Sequence, residues 1–129
     1  MSAYTLKNMM EIEDFLADRD IGVEGRFARK HIDSRELGVS YFRYEPGRRA
    51  PFGHSHREQE EAYVVVRGSG RVKLDDDIVE LSQWDVLRVA PEVVRSFEAG
   101  SDGLELIAVG GTRPEDGDGV PAPEGFWDD

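Results

Sequence analysis

An all-β domain, built as an antiparallel sandwich or barrel, is the fold class that this sequence predicts, and three observations carry the prediction. From about Val23 onward, short stretches rich in valine, leucine and aromatics are broken roughly every eight to twelve residues by Gly, Pro or Asp clusters. No helical pattern of useful length fits between those stretches, which argues against a parallel βαβ sheet. The 129 residues, 39% hydrophobic and 33% charged, can bury one modest core but not two.

The elements follow in order. Met9 to Leu16 places apolar residues at 9, 12, 15 and 16, which are helical neighbours, and Asn8 can cap them, so a short N-terminal helix or a turn of one is expected. Candidate strands span 24–30, 39–45, 52–57, 61–67, 70–75, 78–82, 85–90, 93–98 and 104–109. Tight connections are expected at Gly68-Ser69-Gly70, at Asp75-Asp76-Asp77 and across 99–103, because Gly and Asp tolerate the left-handed conformations that such turns require. The chain therefore divides into an N-terminal segment (1–22), a β-barrel (23–111) and an acidic, flexible tail (112–129). Within the tail, Gly117-Asp118-Gly119 reads as linker, while Phe126 and Trp127 could dock on the body or on a second subunit.

Composition excludes several function classes. With 27 acids against 16 bases the formal charge is -11, and no basic stripe is present, so nucleic acid and anionic lipid are set aside as partners. The absence of cysteine removes disulfides, thiolate metal sites and a cysteine nucleophile. Ala62 to Val66, the longest uninterrupted apolar run, is far too short for a membrane span, and the first ten residues lack a secretory pattern, so a cytoplasmic location is expected. No nucleophile-elbow or phosphate-cradling motif occurs.

Chemistry concentrates in one stretch. His54 and His56 are separated by one residue, so in an extended segment both imidazoles share a face while Ser55 points away. Glu61 follows, sharing its own face with Tyr63 and Val65. Two imidazoles and a carboxylate can make the facial triad favoured by iron, manganese, nickel or zinc. Glu60 alternates to the opposite face and is the weaker competitor, and Arg57-Glu58-Gln59-Glu60 reads as an exposed charged turn from which Gln59 or Glu60 could reach the site. His31, beside Lys30, reads as solvated surface.

These residues make the chain resemble a cupin. The first cupin motif runs Gly, five residues, His-x-His, three or four residues, Glu, six residues, Gly. Here Gly47 is followed by six residues, then His54-Ser55-His56, four residues to Glu61 and six more to Gly68. The second motif begins Gly-Asp and ends Pro-x-Gly, two residues, His, and supplies a fourth metal ligand. In 84–97, Asp85 and Pro91 fit, but Trp84 and Glu92 replace glycines and Arg95 stands where the histidine should be. A Cβ at position 92 favours a type I turn.

The resemblance implies a double-stranded β-helix, or jelly-roll barrel, and a homodimer. It implies a divalent metal on His54, His56 and Glu61, put in question by Arg95 at the fourth corner. Two readings of Arg95 stand: an inward guanidinium, in phase with Val93 and Phe97, that clamps an anion or pairs with Glu61, and an outward surface arginine at the barrel mouth. Tyr63, Phe42, Phe52, Phe97 and Trp84 read first as barrel filling and second as cavity lining. Three function classes follow: a small-molecule-binding protein whose pocket uses Arg95 and Tyr63 toward an anionic ligand, a mononuclear metal enzyme (dioxygenase or isomerase), and a non-catalytic binding or sensor protein.

Overall fold

The computed structural model describes residues 3–128. It contains eight strands: β1 (Val23–Phe27), β2 (Gly38–Tyr44), β3 (His54–His56), β4 (Glu61–Leu74), β5 (Asp77–Leu81), β6 (Val86–Val89), β7 (Arg95–Gly110) and β8 (Gly119–Pro121). All pairings are antiparallel, in the order β1-β2-β7-β3-β8, with β4 paired to β5, β6 and β7. This is the curled jelly-roll sheet expected of the sequence. None of the described helical segments is long and apolar enough to cross a membrane.

The N-terminal segment forms two single-turn 3-10 segments, Met9–Glu11 and Ala17–Arg19, with Asn8 Oδ1 accepting from the Met10 N–H at 2.9 Å. A longer helix is stopped because Ile12 turns extended and Asp14 Oδ1 accepts from the N–H groups of Leu16 and Gly25, tying the segment to β1. Ile12 and Leu16 are nevertheless buried, whereas Phe15 is exposed.

Two expected turns are not turns. Residues 61–67 and 70–75 join into β4, and 93–98 and 104–109 largely into β7, because the glycines at 68, 70 and 103 serve close strand approach instead of chain reversal. A Cβ on Gly68 (φ +80°) would stand 2.1 Å from the Gly103 carbonyl oxygen, and one on Gly70 would stand 2.2 Å from that of Glu98. Register shifts fall between Val65 and Arg67 and between Gly68 and Gly70, and bulges of this kind bend a ribbon. The Asp75-Asp76 turn does close the β4–β5 hairpin, with Asp75 at φ 53°.

The tail also departs from the expected linker. Residues 119–121 add β8 to the edge of β3. Trp127 stacks 4.3 Å from the Arg49 guanidinium and donates its indole N–H to Ser96 Oγ at 3.0 Å. Lys73 donates to the Phe126 carbonyl and approaches Asp128 at 3.3 Å. Cation–π stacking and these hydrogen bonds cover Ser96 and Lys73 on the outer face of β4 and β7, and this overcomes the tail's hydrophilic composition.

The core lies between the curled layers, where Val65, Val72, Phe97, Leu104 and Leu106 alternate inward. Trp84, by contrast, is 66% exposed and holds φ 72°, a left-handed conformation that glycine adopts more easily. Both motif glycines at positions 47 and 68 also have positive φ, but only Gly68 is crowded by backbone. Gly47→Ala should therefore cost about 1 kcal/mol of stability and Gly68→Ala at least about 2 kcal/mol. Urea unfolding of the two variants measures this, and equal penalties would contradict the close crossing at Gly68.

Candidate metal and ligand site

Register builds the site. His54 lies directly opposite Arg95 across the β3–β7 pair, so the two side chains share a face, and His56 shares it by alternation. Glu61 opens β4, opposite Val89 and Gly110, with Tyr63 two residues on along the same inward face. Gly70 through Leu74 pairs back onto the start of β7, ending at Leu74 opposite Arg95.

One carboxylate oxygen collects these groups. Glu61 Oε1 lies 3.2 Å from His54 Nε2 and 3.1 Å from His56 Nε2, accepts from the Tyr63 hydroxyl at 2.6 Å, and stands 3.9 Å from Arg95 Nη1. Burial alone would raise the Glu61 carboxyl, but hydrogen bonds from His54, His56 and Tyr63 outweigh it and hold the group far below the usual carboxylate range. Burial lowers His56, yet its bonds to Glu61 and Asp118 prevail and raise it. Burial and the Glu61 charge push the Tyr63 hydroxyl well up, so it stays a donor.

Arg95 settles inward: it is 0% exposed, and the outward surface reading is corrected because β7 puts it in phase with buried Phe97. Its Nη2 donates to the Ala90 carbonyl at 3.0 Å, while Nε and Nη1 are buried without a hydrogen-bond partner among the described residues. The preceding turn closes through the Val93 N–H to the Ala90 carbonyl at 3.2 Å, and Glu92 has no positive φ, as a type I turn requires.

The donor set fits a divalent ion. His54, His56 and Glu61 offer ligand atoms within 4.8 Å of one another. Cis ligands with bonds of about 2.1 Å are about 3 Å apart, close to the two His–Glu separations. Arg95 is the feature that works against the charge of such an ion.

The site opens onto a cavity of about 530 Å³. Phe42, Phe52 and Phe97 line it, as does buried Gln59, while Glu60 faces outward to Arg88. Trp84 is not part of the wall. His31 is exposed, as expected, but stands at the cavity with Arg29, Lys30 and Arg113. The lining holds four arginine or lysine side chains against three carboxylates, in a chain of net charge -11.

Sequence reasoning missed Asp118. Its side chain is 1% exposed; Oδ1 lies 2.8 Å from His56 Nδ1, and Oδ2 accepts from the N–H groups of Glu58 and Gln59 at 2.8 Å each. The partners are about sixty positions apart in the chain, and a Gly-Asp-Gly run gives no signal of such a contact. Burial would raise the Asp118 carboxyl, but those two N–H donors and His56 lower it to about 2 from its ordinary 3.8.

Because that folded value lies below the unfolded one, the stabilisation is complete above about pH 4 and is lost as the pH falls towards 2. Metal-free protein should lose about 2 kcal/mol from this group across that window in urea unfolding at stepped pH, and Asp118→Asn should remove that component. An unchanged acid limb in the variant would contradict the role given to this carboxylate.

Comparisons with known proteins agree with this fold. The cupin-domain family model matches residues 40–110, and the chain belongs to that family. No curated protein sequence matches it. Among solved structures, it is similar to a cupin protein from Bacteroides fragilis, with TM-score 0.72, 23% identity and 89% of each chain covered. It is similar to Streptomyces PAC13 with uridine, with TM-score 0.72, 16% identity, and coverage of 95% of this chain and 92% of that one. Oxalate decarboxylase from Bacillus subtilis gives TM-score 0.77 and 19% identity over 98% of this chain, which spans only 33% of that enzyme. At these identities the likeness carries the fold.

Proposed function

We propose that this cupin binds an anionic small molecule in its barrel cavity, beside a divalent ion held by His54, His56 and Glu61. The observation that carries the reading is the buried Arg95 guanidinium, whose Nε and Nη1 have no hydrogen-bond partner among the described residues, at the wall of a cavity that also contains the triad. A buried donor left unmet is costly, and an anionic ligand would meet it. Iron, manganese, nickel and zinc all suit two imidazoles and a carboxylate, and the ion would supply Lewis acidity next to the bound ligand. Tyr63 acts through Glu61, donating to the ligating oxygen and holding it ionised.

A second reading, a mononuclear metal enzyme of dioxygenase or isomerase type, is favoured by the number of protein ligands. Three donors facing an open cavity leave coordination positions for substrate or water, as catalytic sites do.

The guanidinium sets the metal affinity. A fixed positive charge about 6 Å from a divalent ion, at an effective dielectric near 20, costs about 5 kcal/mol, part of which Glu61 relieves. Arg95→His should therefore raise affinity for zinc or manganese at least about a hundredfold by calorimetry, while weakening the capture of small carboxylates. Elemental analysis of untagged protein should find stoichiometric metal that disappears in the His54→Ala, His56→Ala double variant. A wild-type site that stays empty after reconstitution with all four metals would sink the metal half of this reading.

The protein is also proposed to be a homodimer. The outer face of β4, β6 and β7 carries Ala62, Val64, Val86, Ile107 and Val109 in mutual register, and Val86 is 70% exposed. Val86→Glu combined with Val109→Glu should convert the dimer to monomer in sedimentation equilibrium, and a wild-type monomer at micromolar concentration would refute the pairing.

A further inference from the structure

We infer that Asp118, delivered by the C-terminal segment, is a positioning residue of the metal site, fixing the His56 imidazole with its proton on Nδ1 and its lone pair on Nε2. The inference rests on the proposed metal reading for its consequence, though its geometric core does not.

A neutral imidazole carries one N–H, and the group facing each ring nitrogen decides where it sits. At His56, the Nδ1 side faces Asp118 Oδ1 at 2.8 Å, and the Nε2 side faces Glu61 Oε1 at 3.1 Å. Both facing groups are carboxylates and can only accept, but Asp118 Oδ1 is the nearer, whereas Glu61 Oε1 already accepts from the Tyr63 hydroxyl and also faces His54, so the single proton of a neutral ring goes to Nδ1 and Nε2 is left for a metal ion when one occupies the triad. A carboxylate behind a ligating imidazole also raises its basicity and locks the ring.

The same carboxylate does more than face the ring. Its Oδ2 holds the N–H groups of Glu58 and Gln59, and the Asp118 carbonyl accepts from Arg57 at 3.2 Å. These residues make up most of the link between His56 and Glu61, so one side chain fixes both a ligand's ring and the loop that leads to the next ligand. Its own position is imposed from both sides. Downstream, β8 pairs with β3, with Gly119 opposite His56 and Pro121 opposite His54, and the Ala122 N–H reaches the Gly53 carbonyl at 2.9 Å. Further along, Trp127 is clamped on Arg49 and bonded to Ser96. The segment is thus held along its length, and Asp118 is the point at which it touches the chemistry.

Asn at position 118 separates positioning from tethering. Its amide oxygen can still accept from the loop N–H groups, but its NH₂ then faces Nδ1 and drives the proton to Nε2, where it blocks ligation. Asp118→Asn should lower cobalt(II) affinity roughly 10- to 100-fold, followed by the metal's visible absorption, with Asp118→Glu restoring part of the loss. Trp127→Ala, which loosens the tail without touching the carboxylate, should change that affinity by less than about threefold. Long-range ¹H–¹⁵N correlation spectra of the metal-free wild type, recorded where imidazoles are neutral, should show His56 protonated on Nδ1.

Cobalt affinity of Asp118→Asn within about threefold of wild type, or equal losses in Asp118→Asn and Trp127→Ala, would overturn the role in metal binding. A wild-type His56 protonated on Nε2 would overturn the positioning itself, and needs no variant to fold. Wild-type protein that binds no cobalt while His56 shows the Nδ1–H form would instead defeat the metal reading and leave the positioning standing.

Discussion

The structure depends on a ribbon that doubles back on itself. Glu61 opens β4, and Arg95 lies opposite Leu74 at the far end of the same strand. Along an extended strand those positions would be separated by roughly 40 Å, yet Arg95 Nη1 and Glu61 Oε1 are 3.9 Å apart. Only a β4–β7 ribbon bent through most of a turn brings them together. The bend falls at the register shifts around Gly68 and Gly70, where the crossing carbonyls of Gly103 and Glu98 leave no room for a Cβ. A glycine that closes the first motif is therefore remote from the ligands in contact but not in consequence: it sets the curvature that makes them neighbours.

Once the ribbon closes, electrostatics governs the interior. Glu61 Oε1 meets two imidazoles, a phenol and a guanidinium, and desolvation that would otherwise neutralise the carboxyl is outweighed by the donors. Replacing Glu61 by a neutral residue would strip Arg95 of its nearest counter-charge in a place where the guanidinium has 0% exposure. Removing one member of such a cluster is more damaging than never having built it. The trio of His54, His56 and Glu61 and the arginine are thus mutually dependent, and a metal ion would add to a charge pattern already in force.

How much of this was readable in sequence depends on the distance over which each contact is specified. The alternation of His54 and His56, the spacing to Glu61 and the shared phase of Arg95 with Phe97 are local, and strand geometry turned each into a shared face. The same local logic misread Gly68-Ser69-Gly70 and 99–103 as reversals, because a glycine needed for a close crossing and one needed for a turn are identical in sequence. Trp84 shows the opposite failure: the backbone takes φ 72° while the residue type gives no hint of it. Asp118 was illegible for a third reason. Its partners lie about sixty residues upstream, a contact between segments that no periodicity encodes.

The charges of the assembled site also constrain what it can receive. Arg95 is a fixed positive charge beside the carboxylate of Glu61, and the bonds of His56 to Glu61 and Asp118 favour its protonated form over the neutral one. On the proposed reading, a divalent ion on the triad would add positive charge beside that guanidinium. The added charge would stand close to Arg95 Nε and Nη1, buried nitrogens that have no hydrogen-bond partner among the described residues. An anion in the cavity would offset that charge and supply acceptors for those donors together. On that reading, metal and anionic ligand should strengthen each other's binding, and Arg95, which would oppose the ion alone, would be the residue that couples the pair.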